Sequence, residues 1–132
     1  MATLQLDIVT PTGSVVSREV ERVQACSVEG YFEILPRHTE FLSALAIGQI
    51  RYSVSGKERK LAAGMGIAEI ADNKVTLLVE SAEPRSEIDI ERAKESKKRA
   101  EKRISESKEG MEFDRAALSL QRAIIRLKVA GR

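Results

Sequence analysis

Six arginines in the last third of the chain repeat one spacing. Arg92, Arg99 and Arg103 are separated by seven and then four residues, and so are Arg115, Arg122 and Arg126. On a helix turning about 100° per residue, each triplet lines one narrow stripe, which makes two cationic ribs. Guanidinium forks match phosphates and carboxylates, so the ribs fit an anion site or an acidic protein surface. A solvated face with neighbouring glutamates such as Glu91 and Glu95 explains the same pattern.

Little else offers covalent chemistry. His38 has no Ser, Cys or paired-carboxylate motif beside it, and catalysis needs such a constellation, so it reads as a loop or interface residue. Cys26 falls in an expected strand and reads as a small buried hydrophobe rather than a nucleophile. One cysteine makes no internal disulfide and one histidine no His/Cys metal cluster, which suits a reducing, cytoplasmic compartment. Gly64 and Gly66 lack the third glycine and the helix opening of a dinucleotide site, and there is no Walker lysine motif. No catalytic residue and no metal ligand is therefore expected.

The elements that must position these residues divide in two. A chain of 132 residues with 42% hydrophobic and 32% charged residues fits one or two small domains and excludes a large enzyme with a deep core. With 22 basic and 20 acidic residues the net charge is +2, short of the balance of a dedicated nucleic-acid binder. No apolar run of about eighteen residues and no leader pattern is present, so neither membrane insertion nor secretion is expected. The total hides an asymmetry: residues 1–84 hold 8 Lys/Arg against 11 Asp/Glu, and residues 85–132 hold 14 against 9. All three prolines lie in the first segment, with Gly13, Gly30, Gly48, Gly56, Gly64 and Gly66.

The first segment reads as β. Leu4, Leu6 and Ile8 alternate with Gln5, Asp7 and Val9, and Pro11-Thr12-Gly13 ends the run. Further short runs at 20–28, 31–35, 49–54, 60–63, 67–70 and 75–80, separated by turn residues, indicate a small sandwich or barrel. From Ser86 onward Ala, Glu, Lys and Arg predict helices over 89–107 and 112–129, broken at Glu109-Gly110-Met111 and forming an antiparallel hairpin. Ser86 and Asp89 have the spacing of a capping box. The fold class is thus α+β, with a β domain at 1–84 and a helical hairpin at 85–132.

On the second helix Phe113, Ala116, Ala117, Leu120, Ala123, Ile124 and Leu127 form one apolar stripe for its helical partner. Leu118, Ile125 and Val129 form another on the opposite side, which a lone hairpin leaves wet. The first helix offers only Ile90, Ala93, Ala100 and Ile104. With full burial of a large aliphatic side chain worth about 1.5–3 kcal/mol, this alanine-rich pair is marginal alone. It is expected to dock on the β domain, on another protein, or on each in turn.

Several segments resemble the bacterial F-type ATP synthase epsilon subunit. Residues 30–39, Gly-Tyr-Phe-Glu-Ile-Leu-Pro-Arg-His-Thr, are similar to that family's Gly-Glu-Leu-Gly-Ile-Leu-Pro-Gly-His-Thr/Ala. Gly64-Met65-Gly66-Ile67-Ala68-Glu69-Ile70 and Val75-Thr76-Leu77-Leu78 resemble two further stretches, and Ile88-Asp89-Ile90-Glu91-Arg92-Ala93 resembles the Ile/Leu-Asp-x-x-Arg-Ala motif. The match runs along essentially the whole chain. It implies a ten-stranded β-sandwich followed by a two-helix hairpin, in a non-catalytic subunit of the rotating central stalk at the cytoplasmic face of the cell membrane. It also implies contacts with the gamma subunit, the c-subunit ring, and the alpha and beta subunits. The hairpin of family members lies folded on the sandwich or extends toward the catalytic subunits, suppressing ATP hydrolysis. Some members bind ATP on the folded hairpin, and the matching positions are Glu83, Ile88, Asp89, Arg92, Ala93, Arg99, Arg122 and Arg126. Asp89 reads equally as a helix-start residue favoured by the dipole. Implied partner contacts are Glu29, Tyr31, Arg37, His38, Arg115, Arg122 and Arg126. Phe32-Glu33 and Arg37 depart from the family's Leu-Gly and Gly, leaving this loop bulkier and more charged. A free-standing ATP-binding regulatory module is the alternative use of the same arginines.

Overall fold

The computed structural model describes residues 2–107 and 109–131; Met1, Lys108 and Arg132, which the expected domains include, lie outside the described residues. Among the described residues ten strands precede two helices. The strands are β1 (Leu4–Thr10), β2 (Gly13–Val20), β3 (Arg22–Ser27), β4 (Gly30–Ile34), β5 (Phe41–Leu45), β6 (Gly48–Val54), β7 (Lys57–Ala63), β8 (Gly66–Ala71), β9 (Lys74–Val79) and β10 (Ala82–Pro84). A 3-10 turn at Arg85–Glu87 leads to α1 (Ile90–Ser107) and α2 (Met111–Ala130). The expected sandwich and helical hairpin are both present.

Hydrogen bonding runs continuously through the strand order β10-β7-β6-β3-β5-β8-β9-β1-β2, with β4 paired to β3, and the sheet folds over on itself. Its core comes from alternation: Leu4, Leu6 and Ile8 of β1, Ala68 and Ile70 of β8, and Val75, Leu77 and Val79 of β9 all point inward. Two-residue turns join the tightest hairpins. Ser55-Gly56 and Asp72-Asn73 carry paired positive φ angles, the backbone twist that matches adjacent antiparallel strands. The single expected run at 20–28 breaks at Glu21, where β2 ends and β3 begins. β2, β5 and β10 were not among the expected strands.

β1 pairs antiparallel with β2 and parallel with β9, so the first strand closes against the last long one. β10 then crosses to β7, with Glu83 opposite Ala62 and Pro84 opposite Leu61, and delivers the hairpin onto the outside of β7. At Gly66 a Cβ would lie 1.9 Å from the Leu78 carbonyl oxygen, so the β8–β9 pairing there closes only on glycine.

The capping assignment changes. Asp89, not Ser86, is the N-cap: its Oδ1 accepts the Arg92 N–H at 3.0 Å and its carbonyl accepts the Ala93 N–H at 3.0 Å. Ser86 lies in the preceding 3-10 turn.

Two outcomes follow for stability. Gly66→Ala is expected to lower the urea midpoint by an amount equivalent to about 1–3 kcal/mol, because backbone must move to admit the methyl. Asp7 sits opposite Ser17 on β2 and 3.4 Å from Lys74. The Ser17 hydrogen bond, outweighing burial and helped by Lys74, holds its carboxyl below the ordinary range. That stabilisation is complete above the unfolded carboxylate pKa and lost as pH falls through the lowered folded value. Asp7→Asn should therefore flatten the acid limb of stability against pH in urea titrations and leave the alkaline limb unchanged.

Candidate functional site

The hairpin meets the sandwich through α2. Ala62 on the outer face of β7, Ile88 after the 3-10 turn and Val129 form a small buried cluster, with Ile125 and Ala130 packed against it. The second apolar stripe thus finds its cover on the β domain, where Val129 is only 1% exposed. Leu118, the stripe's third member, is half-buried. Between the helices the seam is alanine, as expected: Ala93 and Ala100 of α1 are buried, as are Ala116, Ala123 and Leu127 of α2. Ile124, assigned to that seam, is instead 42% exposed.

Two ion pairs flank the cluster. Arg122 Nη2 and Nε donate to Glu80 Oε1 at 3.0 and 3.3 Å, and Arg126 Nε donates to Glu83 Oε1. Each arginine side chain is about one-third exposed (30% and 31%), so exchange with solvent and other anions stays open. Glu80 is held from below as well: its Oε1 accepts the Met65 N–H at 3.3 Å, and its side chain fills the space that Gly64 leaves. A Cβ on Gly64 would stand 2.4 Å from Glu80 Cγ.

Of the eight residues implied to hold ATP, the structure joins Glu83 to Arg126, buries Ile88 against Ala62, buries Ala93 in the seam and uses Asp89 as a cap. Arg92 and Arg99 are exposed on α1, Arg99 Nη2 bonding Ser96 Oγ at 3.1 Å. The donor set fits a polyphosphate in kind. Arg122 and Arg126 would have to release, or share, Glu80 and Glu83 to take part.

The implied partner contacts are spread along β4. Glu29 lies in the turn before it and Arg37 and His38 in the connection after it, with Tyr31 between, its hydroxyl accepting the Gln49 N–H at 3.2 Å. Arg37 has φ +66°. His38 Nδ1–H donates to Thr39 O at 2.7 Å, and the ring stands edge-on to Phe41. Arg115 is exposed near the start of α2.

Sequence reading missed Glu80 and an apolar row on the outside of the sandwich. Ala44, Ile67, Leu78 and Val9 are neighbours across β5, β8, β9 and β1, and Leu42 lies on the same face of β5. Leu42, Ile67 and Leu78 are 69%, 49% and 50% exposed. The available signal was Leu77-Leu78-Val79, a run without polar alternation, which marks a strand with two apolar faces. Among the described residues no group of three or more His, Cys, Asp or Glu is placed to hold a metal ion, and no helix is long and apolar enough to cross a membrane.

A rolled β-sandwich carrying a two-helix hairpin on one outer strand defines a small two-part α+β protein, and known proteins specify it further. The family profile for the ATP synthase Delta/Epsilon chain beta-sandwich domain matches residues 3–85, and that for the long alpha-helix domain matches residues 86–131. The chain belongs to the ATP synthase Delta/Epsilon chain family. The ATP synthase epsilon chain of Nitratidesulfovibrio vulgaris is 48% identical over 128 residues, covering 97% of this chain and 96% of that one. The epsilon chain of Halalkalibacterium halodurans is 44% identical over the full length of both. A chain in the cryo-EM structure of the Euglena gracilis mitochondrial ATP synthase shares the fold at TM-score 0.86 and 21% identity, covering 100% of this chain and 83% of that one.

Val129→Ala is expected to cost about 2 kcal/mol of docking and to raise amide exchange along α2 while the strands stay protected. Arg99→Ala, on an exposed face, should change stability by less than about 0.5 kcal/mol.

Proposed function

We propose that this protein is the non-catalytic epsilon-type subunit of an F-type ATP synthase central stalk, peripheral to the cytoplasmic face of the membrane. The β-sandwich couples rotation of the catalytic head to ion translocation. Its apolar outer row through Ile67 and Leu78 suits a contact with the gamma subunit, and Glu29, Tyr31, Arg37 and His38 suit the rim that meets the c-subunit ring. The hairpin restrains ATP hydrolysis when it leaves the sandwich and offers Arg115, Arg122 and Arg126 to an acidic surface of the catalytic subunits.

One observation carries the regulatory half: the contact holding α2 to the sandwich is small and the side chains of its ion pairs are 30–40% exposed. Exposed pairs are worth about 0–1 kcal/mol each, and the apolar part rests mainly on Val129 and Ile88. Moving an equilibrium from 1:99 to 99:1 takes about 5.5 kcal/mol, which a protein interface supplies. The same arginines serve both postures, so docking on the sandwich and binding an acidic partner exclude each other. ATP, bound through Arg92, Arg99, Arg122 and Arg126, shifts the balance toward the folded hairpin in proportion to its preference for that state.

Deleting residues 88–132 should raise ATP hydrolysis by the reconstituted complex severalfold under conditions where the native complex is inhibited; unchanged hydrolysis would remove the restraint and leave the coupling role. Glu80→Gln with Glu83→Gln should loosen the folded hairpin by about fivefold per pair at most, read as deeper inhibition of the complex. Isothermal titration of the chain with ATP should give heat that Arg122→Ala/Arg126→Ala abolishes, and no heat at millimolar ATP would count against nucleotide sensing.

A further inference from the structure

Asn73 makes three bonds to two distant segments. Its side-chain Oδ1 accepts the Arg37 N–H at 2.8 Å, its Nδ2 donates to Thr3 O at 2.9 Å, and its carbonyl accepts the Gln5 N–H at 3.1 Å. It thereby ties the β8–β9 turn to the start of β1 and to the connection between β4 and β5. The bonded amide is that of Arg37, whose φ of +66° is left-handed backbone that a side chain of this size disfavours. Beyond it, local bonds shape the loop: His38 N–H to Leu35 O at 3.2 Å and His38 Nδ1–H to Thr39 O.

We propose that Asn73 is a positioning residue for the Arg37 and His38 loop: its carboxamide oxygen holds Arg37 in the left-handed conformation and so fixes how the cation and the imidazole are presented at this rim of the sandwich. Among the described residues no other group bonds the Arg37 amide. Without Asn73, an arginine at this position relaxes toward negative φ and turns the loop's outward side chains with it. The functional consequence rests on the reading that this rim meets the c-subunit ring; the clamp itself does not.

Asn73 has φ +59°, so Asn73→Gly removes the side chain without straining the turn, whereas Ala there confounds the two effects. Asn73→Asp keeps the accepting oxygen and loses the donor to Thr3. In hydrogen exchange on the full chain, Asn73→Gly should speed exchange at Arg37 by at least severalfold, and Asn73→Asp should leave it near the native rate. Equal exchange at Arg37 in native and Gly forms overturns the clamp. In the reconstituted complex, Asn73→Gly should lower ions pumped per ATP hydrolysed while Asn73→Asp does not. If exchange rises but pumping holds, the positioning role in coupling is overturned. An Arg37→Ala/His38→Ala variant separates the causes: if it also pumps normally, the rim contact itself is wrong, and the clamp survives as a local device.

Discussion

The seating of Val129 and Ile125 on Ala62 and Ile88 is the contact on which the two-domain arrangement depends. The hairpin's internal seam is alanine, which lets helices approach closely but buries little area, and α1 contributes only two half-buried isoleucines, Ile90 and Ile104. The stripe on the far side of α2 therefore needs a second surface. β7 provides one because Ala62 is small enough for a helix to lie against the outside of the strand. Glu80 and Glu83 add orientation more than strength, since charge pairs open to water fix register better than they hold parts together.

Much of the architecture was readable from residue order because local rules and global fold agree. Alternating Leu4, Leu6 and Ile8, the turn at Asp72-Asn73 and the loss of prolines after Pro84 each survive as structure. The strands that escaped notice are those with little to bury. β2 turns only Val16 and Val20 inward, β5 is largely exposed, and β10 is three residues long with every residue half-buried. The arginine ribs were visible as spacing, but their partners were not: Glu80 lies 42 residues from Arg122, and nothing local to either announces the pair. Asp89 shows the converse. Its reading as a helix-start residue is visible as a cap, because the Arg92 amide sits where its carboxylate can reach it, and that bond leaves the nucleotide reading untouched.

The two candidate sites occupy opposite ends of one β hairpin. The turn carrying Asn73 faces the Arg37 loop, and six-residue strands β8 and β9 lead back to Gly64, Gly66 and Glu80 beneath Arg122. At about 3.3 Å per residue that separation is roughly 20 Å. Hydrogen-bonded strands with buried Ala68, Ile70, Val75 and Leu77 between them make a stiff spacer. The rim and the seat of the hairpin are therefore held at a fixed spacing by the sandwich itself.

The parallel pairing of β1 with β9 also dictates the order in which the polypeptide matures on the ribosome. The opening strand has its hairpin mate β2 at once, but its other edge waits until residue 79 has emerged, so closure of the roll is a late, long-range event. The helices that follow can coil as soon as they appear, yet their seat beside Ala62 exists only after that closure. Because residue 79 leaves the ribosome before either helix does, the roll can close first, and the finished hairpin then meets a seat already formed.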